Sequence, residues 1–174
     1  MRWTVALGIV AFGACFQFHV ARAEEQMVPL VVSGEWATLA HRPSMLAPPD
    51  TCLVVSARGF LIRADEMTLE LRMINKSWSL PPDVHGTIKV SVGNWTKTLA
   101  VAHNTTNMLG ALLMPYDILP MFEAMDKAAS MTVTVGNVAP IIISLAGSTK
   151  ATNAFRTCAG IKSNAKTPGS NPFD

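Results

Sequence analysis

Two cysteines are the residues of this chain best suited to covalent chemistry. Cys52 and Cys158 stand 106 positions apart, and neither has a Cys-x-x-Cys partner or an adjacent histidine. A reactive thiol needs a neighbour that lowers its pKa, so the pattern points to a structural disulfide between them. In the chain-entropy view, closing a loop of that size stabilises by on the order of 4–5 kcal/mol, against a usual total of about 5–15 kcal/mol.

The remaining candidates are scattered. His41, His85 and His103 sit alone in loops or at strand ends, without the spacing of a metal site, and read as surface histidines. The ten methionines raise the question of copper(I), but no tight Met-x-Met or Met-x-x-Met repeat occurs, so they read as core filling. Asp117, Glu123 and Asp126 share one expected helix and read as cap and surface charges. Asp65-Glu66 falls in an expected turn. Ser148 follows a strand and a glycine, yet no Gly-x-Ser-x-Gly elbow or partner base accompanies it. No catalytic residue, metal or cofactor is therefore expected, and the chain is not expected to be an enzyme. Asn75, Asn94 and Asn104 head Asn-x-Ser/Thr triplets and read as ordinary loop and turn residues.

The elements that must position these residues are mostly short strands. Val28–Val32, Trp36–Leu39, Cys52–Ala57 and Phe60–Arg63 form a first group, interrupted by the proline-rich loop His41–Asp50. Met67–Met73 alternates apolar and polar residues, the pattern of a strand with one buried face. After the loop Asn75–Asp83, Ile88–Val92 and Trp95–Val101 flank a Gly93-Asn94 turn as a hairpin. Met108–Leu113 reads as a strand broken by Gly110. Ile118, Phe122, Met125 and Ala129 recur at helical spacing, with Asp117 or a neighbour as the expected cap and Pro120 in the expected first turn. Met131–Val135 and Ile141–Ser144 return as strands. Ser148 is the expected N-cap of a last helix whose apolar face carries Ala151, Phe155 and Cys158, with Gly160 as its stop. The expected class is α+β: mainly antiparallel β, sandwich or barrel-like, with two short helices late in the chain.

The two ends stand apart from that domain. Arg2, the apolar Trp3–Val20 and the Ala21-Arg22-Ala23 site read as a signal peptide over 1–23, leaving a single domain at 24–161 and a polar, disordered tail at 162–174. Gln17 and His19 interrupt the apolar run, so no transmembrane segment is expected after cleavage. Phe12-Gly13-Ala14-Cys15 also resembles a lipobox, which would make Cys15 a lipidated terminus. Cleavage after Ala23 removes two of the 14 basic residues and none of the 12 acidic ones. The balance that remains lacks the positive excess of a nucleic-acid binder.

Ser144-Leu145-Ala146-Gly147, followed by Thr149, Ala151 and Ala154, resembles the C-terminal segment of the invasion-associated locus B family, small exported proteins of alphaproteobacteria. The family's N-terminal Trp-and-Cys pattern is not found around Trp36. The resemblance implies a non-enzymatic envelope or secreted protein and carries over no catalytic residue. The expectation is a periplasmic or secreted protein that binds a protein partner in the envelope or host, with Trp78 and Trp95, both near turns, as its contact residues. A second reading is a small envelope hydrolase or ligand carrier, in which His85 or His103 would meet a carboxylate in a pocket; the third is the lipoprotein anchored through Cys15. Intact-mass analysis of the exported protein separates the last of these. A terminus at Glu24 is expected, whereas a lipid-modified terminus at Cys15 would establish the anchored form.

Overall fold

The computed structural model describes residues 27–44 and 46–162. The expected signal peptide, and all of the expected tail beyond Lys162, lie outside the described residues. Among the described residues ten strands join in one antiparallel sheet. β1 (Met27–Ser33), β2 (Trp36–His41), β3 (Thr51–Ser56), β4 (Phe60–Asp65) and β5 (Leu69–Ile74) are neighbours in chain order. β6 (His85–Val92), β7 (Trp95–Thr105) and β8 (Met108–Leu112) form a second meander, joined in reverse so that β8 pairs with β5. β9 (Ser130–Val135) pairs with β6, and β10 (Ile141–Ser144) ends the sheet. α1 (Pro115–Lys127) links β8 to β9, and α2 (Ser148–Cys158) follows β10. β1 and β10 do not pair, so the architecture is an open, sandwich-like sheet and not a closed barrel.

Alternation along the strands sends one set of side chains into a single core. Trp36, Val54, Phe60 and Ile62 from the first half of the sheet share it with Ile88, Val90, Val133 and Ile143 from the second. The helices add their apolar stripes. Phe122 of α1 and Phe155 of α2 meet edge to face at 6.0 Å, a geometry favoured by the ring quadrupoles. α2 lies across β1, β2 and β3, while α1 lies against β6 and β7.

Three tethers fasten α2 and the end of β10 to the start of the sheet. Trp36 Nε1 donates to the Ser144 carbonyl at 2.8 Å, joining β2 to β10. Thr38 Oγ1, fully buried, donates to the Ala151 carbonyl at 2.6 Å. The Cys52–Cys158 disulfide has its Cα atoms 6.0 Å apart. Cys52 stands between Ala40 and Ala64 in the sheet register. Those two small neighbours leave the last turn of α2 room to approach.

The structure moves several boundaries. The fifth strand starts at Leu69 and leaves Met67 90 % exposed. The Asp65 carboxylate accepts hydrogen bonds from the Met67 and Thr68 amides, which draws both residues into a turn. Gly110 does not break β8, which runs through it. α1 starts at Pro115 behind Met114, so Asp117 is a first-turn residue and not the cap. Its carboxylate bonds instead to Lys97 Nζ of β7 at 3.1 Å. Pro120 lies inside the helix and leaves the carbonyl of exposed Tyr116 without a helical donor, where water can serve it. Ser148 is not the cap of α2 either. Gly147 takes that position with φ +90°, and a Cβ there would lie 2.2 Å from the Ser33 carbonyl oxygen. The corner therefore admits only glycine.

Because the disulfide joins β3 to the last turn of α2, Cys158→Ser is expected to cost several kcal/mol, on the order of the 4–5 kcal/mol of loop-closure entropy. Urea unfolding of the variant and of the reduced wild-type protein should show similar losses. Non-reducing mass spectrometry should find both thiols blocked, and free thiols would overturn the assignment.

Candidate functional site

The residues singled out as contacts are placed by opposite ends of one long strand. Trp95 opens β7 at the β6–β7 turn. Trp78 sits in the β5–β6 loop, which is held to the β7–β8 turn by the Leu80 amide bonding the Thr106 carbonyl at 2.7 Å. β7 has 11 residues, so at about 3.3 Å per residue its ends are roughly 30 Å apart. Both indoles are half-buried against the core, and no single patch contains them.

Trp95 faces a groove of about 480 Å³ against α1, lined also by Asn94, Pro120, Glu123 and Lys127. Across Pro120 and Glu123 a second groove of about 640 Å³ continues along the helix past Tyr116, Leu119 and Ile161. Lys97 Nζ lies 5.8 Å from the Tyr116 ring centre while holding Asp117, so the start of the helix is pinned to β7 by charge and by the ring face. The helix therefore stands as a rigid ridge between two concave strips that mix aromatic, apolar and charged groups.

The histidines are distributed differently from the expectation. It is His41, at the end of β2, that meets a carboxylate: its Nδ1 lies 2.6 Å from Asp50 Oδ1. The proline-rich loop between them is closed by the Asp50 amide bonding the His41 carbonyl at 3.2 Å. Neither His85 nor His103 has a carboxylate partner among the described residues. His103 sits half-buried with its Nε2 enclosed and without a partner among the described residues, and the same holds of the buried Ser148 hydroxyl. Of the methionines, Met73, Met121, Met125 and Met131 are packed in the core. No group of three metal-ligating side chains occurs among the described residues.

His41 and Asp50 lie at one corner of a third groove, of about 490 Å³, on the outward face of β2–β5 and β8. Its floor is Leu53, Leu61, Ile74 and Met108, and Arg63 and Arg72 stand over it. Each arginine is held by a carboxylate two residues away on its own strand. Arg63 pairs with Asp65, and Arg72 Nε donates to Glu70 Oε2 at 2.7 Å. In β8, Gly110 pairs with Arg72, and a Cβ there would meet Asn104 Nδ2 at 3.4 Å and Arg72 Cγ at 4.0 Å, ordinary contact distances. The sequence signal for this groove is the failure of alternation in Leu53-Val54-Val55 and Phe60-Leu61-Ile62, where apolar residues face both ways.

The fold and its grooves define a disulfide-clasped antiparallel sandwich with concave surfaces on two sides. No protein-family model, curated protein or solved structure matches the chain. No described helix is long and apolar enough to cross a membrane.

The surroundings of Asp65 move its carboxyl well below the usual carboxylate range. Burial pushes its pKa up, but the Thr68 hydroxyl, the Met67 and Thr68 amides and the Arg63 charge outweigh this and bring it to about 2. A carboxylate lowered on folding stabilises above its unfolded value and loses that contribution as pH falls through the folded one. Asp65→Asn is therefore expected to lower stability at pH 7 by on the order of 1 kcal/mol, after solvent screening. The difference in urea midpoint between the two proteins should narrow as pH drops from about 5 towards 2.

Proposed function

We propose that this chain is an exported protein, periplasmic or secreted, that acts by binding a protein partner in the envelope or host and not by catalysis. The N-terminal pattern of Arg2, an apolar run and Ala21-Arg22-Ala23 supports export. The disulfide is the kind of bond that persists in oxidising compartments. The resemblance of Ser144–Gly147 to the locus B family points the same way. A chain with equal numbers of acidic and basic residues after cleavage has no electrostatic reason to bind nucleic acid.

The observation that carries the reading is the paired groove along α1. Trp95 and Tyr116 supply large, stiff contact surfaces of the type that dominates protein interfaces, and Glu123 and Lys127 give the rim charges of both signs. The ridge between the grooves is held by the Lys97–Asp117 pair and by Phe122 packing on Phe155, so a partner would meet a preformed surface. Trp78, at the far end of β7, serves as an end plug of the core in this reading.

Pull-downs from envelope extract with wild-type, Trp95→Ala and Trp78→Ala protein test this. Trp95→Ala is expected to lose captured partner at least tenfold with a melting temperature near wild type. Trp78→Ala is expected to melt lower while keeping the partner. Undiminished capture by a folded Trp95→Ala protein would remove the α1 groove as the contact surface.

A further inference from the structure

The outward face of the sheet is two surfaces of different chemistry. Across β9, β6 and β7 it presents Thr134, Lys89 and Thr98 in one register row and Thr132, Ser91 and Thr96 in the next. Such hydroxyl and amine rows are what a wet sandwich face requires. Across β2, β3 and β4 the corresponding rows are Leu39–Leu53–Arg63 and Ala37–Val55–Leu61. Leu61 points outward in this register and is nevertheless buried, lying in the groove beneath Arg63 and Arg72. An outward strand face with an apolar floor and a few convergent polar groups has the make-up of a small-ligand site, and about 490 Å³ lies in the usual size range.

We propose that this groove binds an amphiphilic monoanion, an aliphatic chain bearing one carboxylate. The apolar body is specified by the floor, Leu53, Leu61, Ile74 and Met108, which runs diagonally from the His41 corner to the β8 edge. The head group is specified by the two arginines. Arg63 lies opposite Glu70, and Arg72 lies opposite Leu61, so the two guanidinium groups are diagonal neighbours on adjacent strands. A guanidinium has five N–H donors. Asp65 engages Arg63 through one nitrogen, and Glu70 engages Arg72 through Nε and one terminal nitrogen. Among the described residues each guanidinium keeps N–H donors that these carboxylates do not use, and those donors suit contact with a further carboxylate.

The flanking charges also decide what the groove does not favour. Asp50, Asp65 and Glu70 outnumber the two arginines locally, so the groove carries no net positive charge: a polyanion such as a nucleotide or a bisphosphate is repelled, and a single carboxylate is held only by direct hydrogen bonds from the guanidinium groups. Affinity must come from burying the chain, with the carboxylate setting its direction. His41, held through Nδ1 by Asp50, stands at the rim as an orienting hydrogen-bond group. This site is separate from the α1 groove, and neither depends on the other.

Calorimetric titration of the whole mature protein with dodecanoate, dodecyltrimethylammonium and dodecyl maltoside, each below its micelle concentration, tests the proposal. Dodecanoate is expected to bind one to one, at least tenfold more tightly than either of the other two. Arg72→Gln should weaken it at least tenfold, Arg72→Lys by less, and Trp95→Ala not at all. Since a variant can fail to fold, methyl chemical shifts of wild-type protein give an independent reading. Leu53, Leu61, Ile74 and Met108 should shift with dodecanoate, while Thr132 and Thr134 stay in place. No saturable binding, equal binding of the cationic or neutral chain, or shifts confined to the α1 groove would each overturn the assignment.

Discussion

The structure depends on how its last helix is fastened to its first strands. A ten-stranded open sheet has two free ends, and the residues at those ends are far apart in sequence. Bringing them together costs loop-closure entropy that no local contact offsets. The chain meets this cost with three bonds spanning more than 100 residues each: Trp36 to Ser144, Thr38 to Ala151, and Cys52 to Cys158. They differ in kind, an indole donor, a buried hydroxyl and a covalent bridge, and all three originate from β2 or β3. Gly147 is what lets the corner approach closely enough for all three, because any side chain there would collide with the Ser33 carbonyl.

That fastening leaves the two faces of the sheet with different duties. The inward face is filled by the core and by α1 and α2, which meet through Phe122 and Phe155. The outward face is left open, and its first half is apolar where its second half is hydroxylated. The sheet edges are blunted. Pro29 and a bulge between Pro29 and Val31 interrupt β1, and β10 has only four residues. Devices of this kind discourage pairing with another chain. Both edges of the sheet are thereby poor templates for pairing with another strand.

Much of the fold was legible in the residues because side-chain alternation and turn glycines are local. Every expected strand is present, with shifted bounds, as are both late helices and the Cys52–Cys158 bridge. The misplacements come from side chains that engage groups the local pattern does not contain. Asp65 bonds the Met67 and Thr68 amides, so β5 begins two residues later than the alternation from Met67 suggests. Asp117 bonds Lys97 from another strand and is drawn off the cap position. The corner at Gly147 displaces Ser148 into the helix. The His41–Asp50 contact closes a proline-rich loop whose residue types do not signal that its ends meet. Trp78 and Trp95 both lie near turns, but nearness to a turn does not say which turns adjoin, and β7 separates the two by its full length.

The sequence by itself determined the class of the molecule, since hydrophobic period and cysteine count depend on neighbours along the chain. It determined that β-strands dominate, that two helices come late, and that the last helix carries its cysteine on its apolar face. Only the tertiary structure decided that the sheet remains open, that α1 is flanked by two grooves, and that Arg63 and Arg72 converge over an apolar floor. Those features depend on strand order and register, above all on β8 joining β5 in place of β6. Strand order follows from the summed burial and tethering of the whole chain, which no local window of sequence contains.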